Sequence, residues 1–101
     1  MRDIVIPQAI MNMTELISDE KLLLSYIMEE CANSDFQVCK ENNFQLADNI
    51  GVSYRSVYRY MEKLEALEYV KIYKIGKAQR DIEITNKLIG IVYPNLTKGG
   101  N

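Results

Sequence analysis

Apolar residues recur at helical spacing through three stretches of the chain and then switch to alternation. Leu22, Leu23, Tyr26, Ile27 and Cys31 predict a helix over 19–32, with Ser18 as its N-cap and Asp19 and Glu20 in the first turn, where the helix dipole favours anions. Asn33-Ser34-Asp35 breaks it. A second pattern starts at Phe44, runs through Leu46, Ala47 and Ile50, and stops at Gly51, a residue suited to the left-handed position that ends helices. Ser53 caps a third helix in which Val57, Tyr60, Met61, Leu64 and Leu67 return every three or four residues, reaching 67 or 68. The period then becomes two. Val70, Ile72 and Lys74 alternate with Lys71, Tyr73 and Ile75, Gly76-Lys77-Ala78-Gln79 reads as a turn, and Ile82 and Ile84 alternate with Asp81 and Glu83, which predicts a β-hairpin. Thr85-Asn86 opens a short helix over 87–92 that Pro94 closes, and 97–101 should fray. Before all of these, Pro7 suits the first position of a short helix whose Ile6, Ile10, Met13 and Ile17 form a stripe. That stripe serves either as a seam between two copies or as packing onto its own domain.

Helix, short helix, glycine turn, helix, hairpin is the element order of a winged helix-turn-helix: mainly α with a small β-hairpin, a three-helix core plus a wing. The two central helices of such a unit cross steeply over a few residues, so the first needs a small residue at the crossing and the turn needs one that tolerates positive φ. Ala47 and Gly51 stand at those positions, and Leu46, Ile50, Val52, Val57 and Tyr60 are apolar where the unit requires it. An amphipathic helix pair with no nucleic-acid role meets some of these requirements; agreement at all seven favours the motif. The chain divides into an N-terminal segment at 1–18, the winged unit at 19–92 and a tail at 93–101.

The apolar stripe of the third helix fixes its opposite face, which carries Tyr54, Arg55, Ser56, Tyr58, Arg59, Glu62 and Lys63. The first turns of a recognition helix enter the major groove, where arginine bonds bidentately to guanine. Arg55 and Arg59, one turn apart, are therefore the expected base readers, with Tyr54 on backbone or a thymine methyl. Ser53, Ser56, Tyr58 and Lys63 are the expected phosphate contacts. Lys74, Lys77 and Arg80 are placed to let the hairpin reach flanking backbone. The competing readings are a solvated arginine face paired with Glu62, and a charged turn that only prevents edge-to-edge aggregation. Tyr69 and Tyr73 read as hairpin and core packing, and Met11, Met13, Met28 and Met61 as core or interface filler.

Composition then narrows the chemistry. In 101 residues there is no histidine, so serine-histidine or cysteine-histidine catalysis and imidazole metal ligation are impossible; with no nucleophile-base pair, metal cluster or phosphate loop to assemble, no enzyme is expected, a topoisomerase-like tyrosine being the alternative left open among seven tyrosines that read as structural. Cys31 and Cys39 form no C-x-x-C pair; they read as reduced thiols, one half-buried and one in a loop. No cofactor is expected. The N-terminus lacks a signal-peptide core and no stretch approaches 18 apolar residues, which points to a cytoplasmic protein without membrane contact. The net charge of −2 argues against a protein that coats nucleic acid, yet it is unevenly placed. Residues 1–52 carry three basic and nine acidic side chains, residues 53–87 eight basic and five acidic, so a basic face sits on an acidic body.

The run Asn43-Phe44-Gln45-Leu46-Ala47-Asp48-Asn49-Ile50-Gly51-Val52-Ser53-Tyr54-Arg55-Ser56-Val57-Tyr58-Arg59-Tyr60-Met61-Glu62-Lys63-Leu64, with Leu67-Glu68-Tyr69-Val70 and Ile82-Glu83-Ile84 after it, resembles the DNA-binding domain of the Crp/Fnr transcription regulators. The resemblance covers about 19–92. It implies that Tyr54, Arg55 and Arg59 reach base edges and that Ser53 and Ser56 touch phosphate. Arg59 matches the family's typical arginine, while Tyr54-Arg55 stands where an arginine-glutamate pair is common. No sensor β-barrel or cluster-binding cysteine set lies upstream, so no small-molecule effector domain is expected in this chain. It reads as a separated C-terminal domain or a small regulator. The chain also looks like the winged-helix segments of plasmid and phage replication proteins. The expected function is sequence-specific binding of double-stranded DNA in transcriptional regulation, as a homodimer on half-sites ~34 Å apart. The acidic first half supports a different expectation, a winged-helix module that binds a protein partner and no DNA.

Overall fold

Leu23, Leu24, Tyr26, Ile27 and Cys31 are all buried on one helix, α2 (Ser18–Ala32), because it packs against helices on one side and the hairpin on another. The computed structural model describes residues 3–95. Around α2 stand α1 (Gln8–Met11), α3 (Asn43–Ile50), α4 (Tyr54–Ala66), the antiparallel strands β1 (Val70–Lys74) and β2 (Arg80–Ile84), and α5 (Asn86–Val92). This is a winged helix. The tail expected to fray at 97–101 lies outside the described residues. No helix among the described residues is long and apolar enough to cross a membrane.

The helix starts show where side chains displace the expected caps. α2 begins at Ser18, so Ile17 is its N-cap in place of Ser18, and the Glu20 carboxylate accepts the Ile17 N–H at 2.8 Å. α3 opens on a reciprocal capping box: Asn42 Oδ1 accepts the Gln45 N–H and Gln45 Oε1 accepts the Asn42 N–H, both at 2.9 Å. With α3 set in that register, Leu46, Ala47 and Ile50 face the core. Phe44 lies two residues before Leu46, about 200° round the helix, and projects outward instead of joining the apolar stripe. Pro7 is likewise the residue before α1, its carbonyl accepting from the Ile10 and Met11 N–H groups.

Gly51 sits at φ 77°, and the Ala47 carbonyl accepts both the Gly51 N–H at 2.9 Å and the Val52 N–H at 3.1 Å. The chain therefore turns within three residues into the Ser53 cap of α4, whose Oγ accepts the Ser56 N–H at 3.1 Å. α4 ends with the same geometry in a less permissive residue. Glu68 takes φ 63° while its N–H bonds to the Glu65 carbonyl and the Tyr69 N–H reaches back to Leu64, which is a Schellman stop with glutamate in the left-handed place.

The hairpin pairs Val70 with Ile84, Ile72 with Ile82 and Lys74 with Arg80. It has a third, one-residue rung that periodicity does not show. Cys39 exchanges two hydrogen bonds of 2.9 Å with Ile82, so this thiol is buried in the sheet rather than lying in a loop. Cys31 approaches the Ile82 carbonyl from α2 at 3.4 Å. Both cysteines are free, and burial pushes both thiols up, Cys31 to about 12, which keeps them protonated and inert.

Of the N-terminal stripe, Ile10 and Met13 enter the core together with the neighbouring Leu16, Ile6 packs partly on it, and Ile17 remains exposed, as does Met11 outside the stripe. The stripe thus folds back onto its own domain. A clamp secures it: the buried Tyr69 hydroxyl donates to the Glu15 carboxylate, and the Lys87 ammonium lies 5.1 Å over the Tyr69 ring. Tyr73, by contrast, faces solvent beside Lys71.

The two left-handed positions predict opposite outcomes from complementary substitutions. Gly51→Ala should destabilise the domain by about 1 kcal/mol or more and Glu68→Gly should stabilise it by a few tenths to about 1 kcal/mol, read as shifts in urea midpoint at constant slope. The clamp predicts a late tyrosine. Burial first, and then the bond to Glu15, raise the Tyr69 hydroxyl from 10.0 to about 12. A folded-state value above the unfolded one means that the stabilisation is complete below pH 10 and disappears as pH rises toward 12. The difference in absorbance titration between wild type and Tyr69→Phe should show a hydroxyl ionising well above 10, and Glu15→Ala should lower that pKa without returning it to 10, because burial is the larger cause.

Candidate nucleic-acid interface

The buried side of α4 consists of Val57, Tyr60, Met61 and Leu64, so rotation of the helix is set and its other side must face outward. Two polar contacts reinforce that setting from the acidic start of α2. The Tyr60 hydroxyl donates to Asp19 Oδ2 at 3.1 Å and the Lys63 ammonium donates to Glu20 Oε1 at 2.9 Å. Outward then lie Tyr54, Arg55, Tyr58 and Arg59, which line one concave surface of about 500 Å³. Arg55 and Arg59 are exposed, and neither guanidinium has a partner among the described residues, Glu62 included.

At the leading end of α4 the hydroxyls of Ser53 and Ser56 are 2.9 Å apart, with Ser53 Oγ engaged as the cap. The N–H groups of Tyr54 and Arg55, in the first turn, have no intrahelical acceptor and are open to an anion. Beside them Phe44 and Tyr54 stack, ring centroids 4.1 Å apart and planes 17° from parallel, although Phe44 is 62% exposed. This pair forms one wall of a groove of about 410 Å³ whose other wall is the hairpin tip with Lys74, Lys77 and Gln79. The helix face and the wing therefore open toward one side of the molecule through a shared residue, Tyr54.

Two expected contact residues have other work. Lys63 is held at 2.9 Å against the buried Glu20, on the side of α4 that meets α2, with 40% of its side chain exposed. Arg80 is half-buried in the lining of the groove, its Nη2 donating to Asn43 Oδ1 and, at 3.3 Å, to the Glu41 carbonyl. Burial lowers its guanidinium pKa from the usual value, and its Nε is buried without an acceptor among the described residues. Arg80 acts as a strap from the wing to the start of α3 rather than as a free cation at the tip. Sequence reasoning missed two residues here. Glu41 accepts from the Tyr26 hydroxyl at 2.7 Å and from Asn49 Nδ2 at 2.8 Å, and with its carbonyl on Arg80 it joins α2, α3 and the wing. Phe44 sits inside an apolar pattern, and its offset from Leu46 is the signal that it faces away. No group of histidine, cysteine or carboxylate side chains among the described residues could hold a metal ion.

The chain matches no protein-family model and no curated protein sequence. Among solved structures it is similar to MepR, a transcription regulator of the Staphylococcus aureus multidrug efflux pump MepA, with a TM-score of 0.65 and 13% identity over 90% of this chain. The chain spans 64% of that regulator's length. At this identity the likeness speaks to the fold, and it agrees with the winged helix built above.

The tie between Lys63 and the buried Glu20 can be measured directly. Lys63→Met should cost about 1–3 kcal/mol of folding stability by leaving the buried Glu20 carboxylate with the Ile17 N–H alone, while duplex affinity at a temperature where the variant is folded should not change.

Proposed function

We propose that this winged helix is a sequence-specific, double-stranded DNA-binding transcriptional regulator that seats the start of α4 in the major groove and the hairpin tip on the flanking backbone. The observation that carries the reading is the pair Arg55 and Arg59: exposed, without a partner among the described residues, one helical turn apart, on the face of α4 that the core leaves outward. In a domain whose other charged groups so often find internal partners, two solvated guanidiniums at that place suit bidentate bonds to guanine. Tyr54 reads alongside them, Ser53, Ser56, Tyr58 and the free N–H groups at the start of α4 take phosphate, and Lys74 and Lys77 brace the wing. Arg80 contributes by holding the wing in position. The likeness of 43–64 to the Crp/Fnr DNA-binding domain supports the same assignment of Tyr54, Arg55 and Arg59.

One recognition helix covers only a few base pairs, so the reading includes two copies on an inverted repeat. Since Ile10 and Met13 are spent on the core, the seam between copies falls to exposed apolar residues, among them Val5, Met11 and Ile17 and, on α5 and just after it, Ile91 and Tyr93.

Selection of bound duplexes from a random pool is expected to enrich an inverted repeat with half-sites ~34 Å apart. On that site the Arg55→Ala, Arg59→Ala double variant should stay folded and lose several kcal/mol of specific binding, at ~1–3 kcal/mol for each bidentate contact. Unchanged affinity in a gel shift would sink the reading. An absence of duplex binding even at low salt, where phosphate contacts are strongest, would favour a protein-binding module.

A further inference from the structure

We propose that the stacked Phe44–Tyr54 pair is a thymine-methyl reader, a specificity determinant contributed jointly by α3 and α4. The inference rests on the DNA-binding reading above and deepens it by naming a base that the arginines do not recognise.

Phe44 has no role in the core. It is 62% exposed, its neighbours Leu46, Ala47 and Ile50 supply the packing of α3, and the Asn42–Gln45 capping box starts the helix without it. A phenylalanine so placed keeps a large apolar surface in water, and its ring is held rather than free, at 4.1 Å on Tyr54. The two rings come from the first turns of the two helices that flank the Gly51 turn, so they present a rigid apolar plate at the leading edge of α4. Its surroundings are cationic. Lys74 and Lys77 stand across the groove, and Arg55 follows Tyr54 on α4. An occupant must therefore be anionic in its backbone and apolar at the point of contact. In a DNA duplex the one apolar group projecting from the base edges into the major groove is the C5-methyl of thymine, which lies near the outer edge of the groove where its own strand's phosphates pass. Lys74 and Lys77 suit those phosphates, and the aromatic plate suits the methyl. Cytosine and uracil offer no such group.

The test replaces thymines by deoxyuridine, one position at a time, in the duplex enriched from the random pool, which removes a methyl and leaves base pairing intact. At one position per half-site, wild-type affinity should fall about fourfold, the worth of one methyl withdrawn from water. Phe44→Ala should bind the thymine duplex about fourfold or more weakly and be indifferent to deoxyuridine at that position. Tyr54→Phe, which keeps the ring, should retain the deoxyuridine penalty. Both variants change exposed groups and their folding is verified by thermal melting. If Arg55 and Arg59 are needed for binding but no deoxyuridine costs wild type as much as twofold, or the penalty persists unchanged in Phe44→Ala, the methyl contact is wrong and DNA reading stands. If no duplex is enriched, or the arginine double variant binds as wild type does, the DNA reading fails and the methyl contact falls with it.

Discussion

The direction of α4 depends on three residues. Between Ile50 and Ser53 the chain must leave one helix, reverse within a single turn and start another, and it does so by placing Gly51 at φ 77° and putting two N–H groups on the Ala47 carbonyl. A β-carbon at 51 meets its own backbone in that conformation, and Ala47 is a small residue buried in the core cluster. With that angle set, Val57, Tyr60, Met61 and Leu64 can reach the core from one side while Tyr54, Arg55, Tyr58 and Arg59 are turned out together. The stacking of Phe44 on Tyr54 is a further consequence, since only a tight turn brings the first residues of the two helices within ring contact.

The charge pattern takes on a different meaning once partners are known. The acidic first half looks like a surface that repels nucleic acid, yet four of its carboxylates are joined to the basic half or to the core. Asp19 and Glu20 hold Tyr60 and Lys63 of α4, Glu15 holds Tyr69, and Glu41 joins Tyr26 and Asn49, with its carbonyl on Arg80. Glu20 is buried and bears both the start of α2 and the flank of α4, so a single carboxylate couples two helix orientations. The cations divide accordingly. Lys63 and Arg80 build the scaffold, and Arg55, Arg59, Lys74 and Lys77 remain outward. A half-buried guanidinium such as Arg80 stays charged and keeps the wing fixed to α3, which is how a hairpin of two five-residue strands can offer a defined surface.

Much of this was legible beforehand, for reasons that can be named. Repeats of 3.6 and of two residues report burial directly, so α2, α3, α4 and the hairpin fall within a residue or so of expectation, and Gly51 and the Ser53 cap carry their conformations in their chemistry. Three things were not legible. The Cys39 rung involves one residue and has no period. The Asn42–Gln45 box is masked by Phe44, whose apolar side chain puts the apparent start of the helical stripe at 44. The ion pair of Lys63 joins residues 43 apart, and on a helical wheel that lysine is indistinguishable from one facing solvent.

The sequence by itself determined the elements, the left-handed turn and the face of α4 that carries Arg55 and Arg59, because each follows from local stereochemistry and from the spacing of apolar groups. Only the tertiary structure decided which polar groups were left over. Whether a lysine, an arginine or a phenylalanine meets solvent depends on what arrives from elsewhere in the chain to satisfy or cover it. Glu20 arrived for Lys63, Asn43 and Glu41 for Arg80, and for Phe44 the ring of Tyr54.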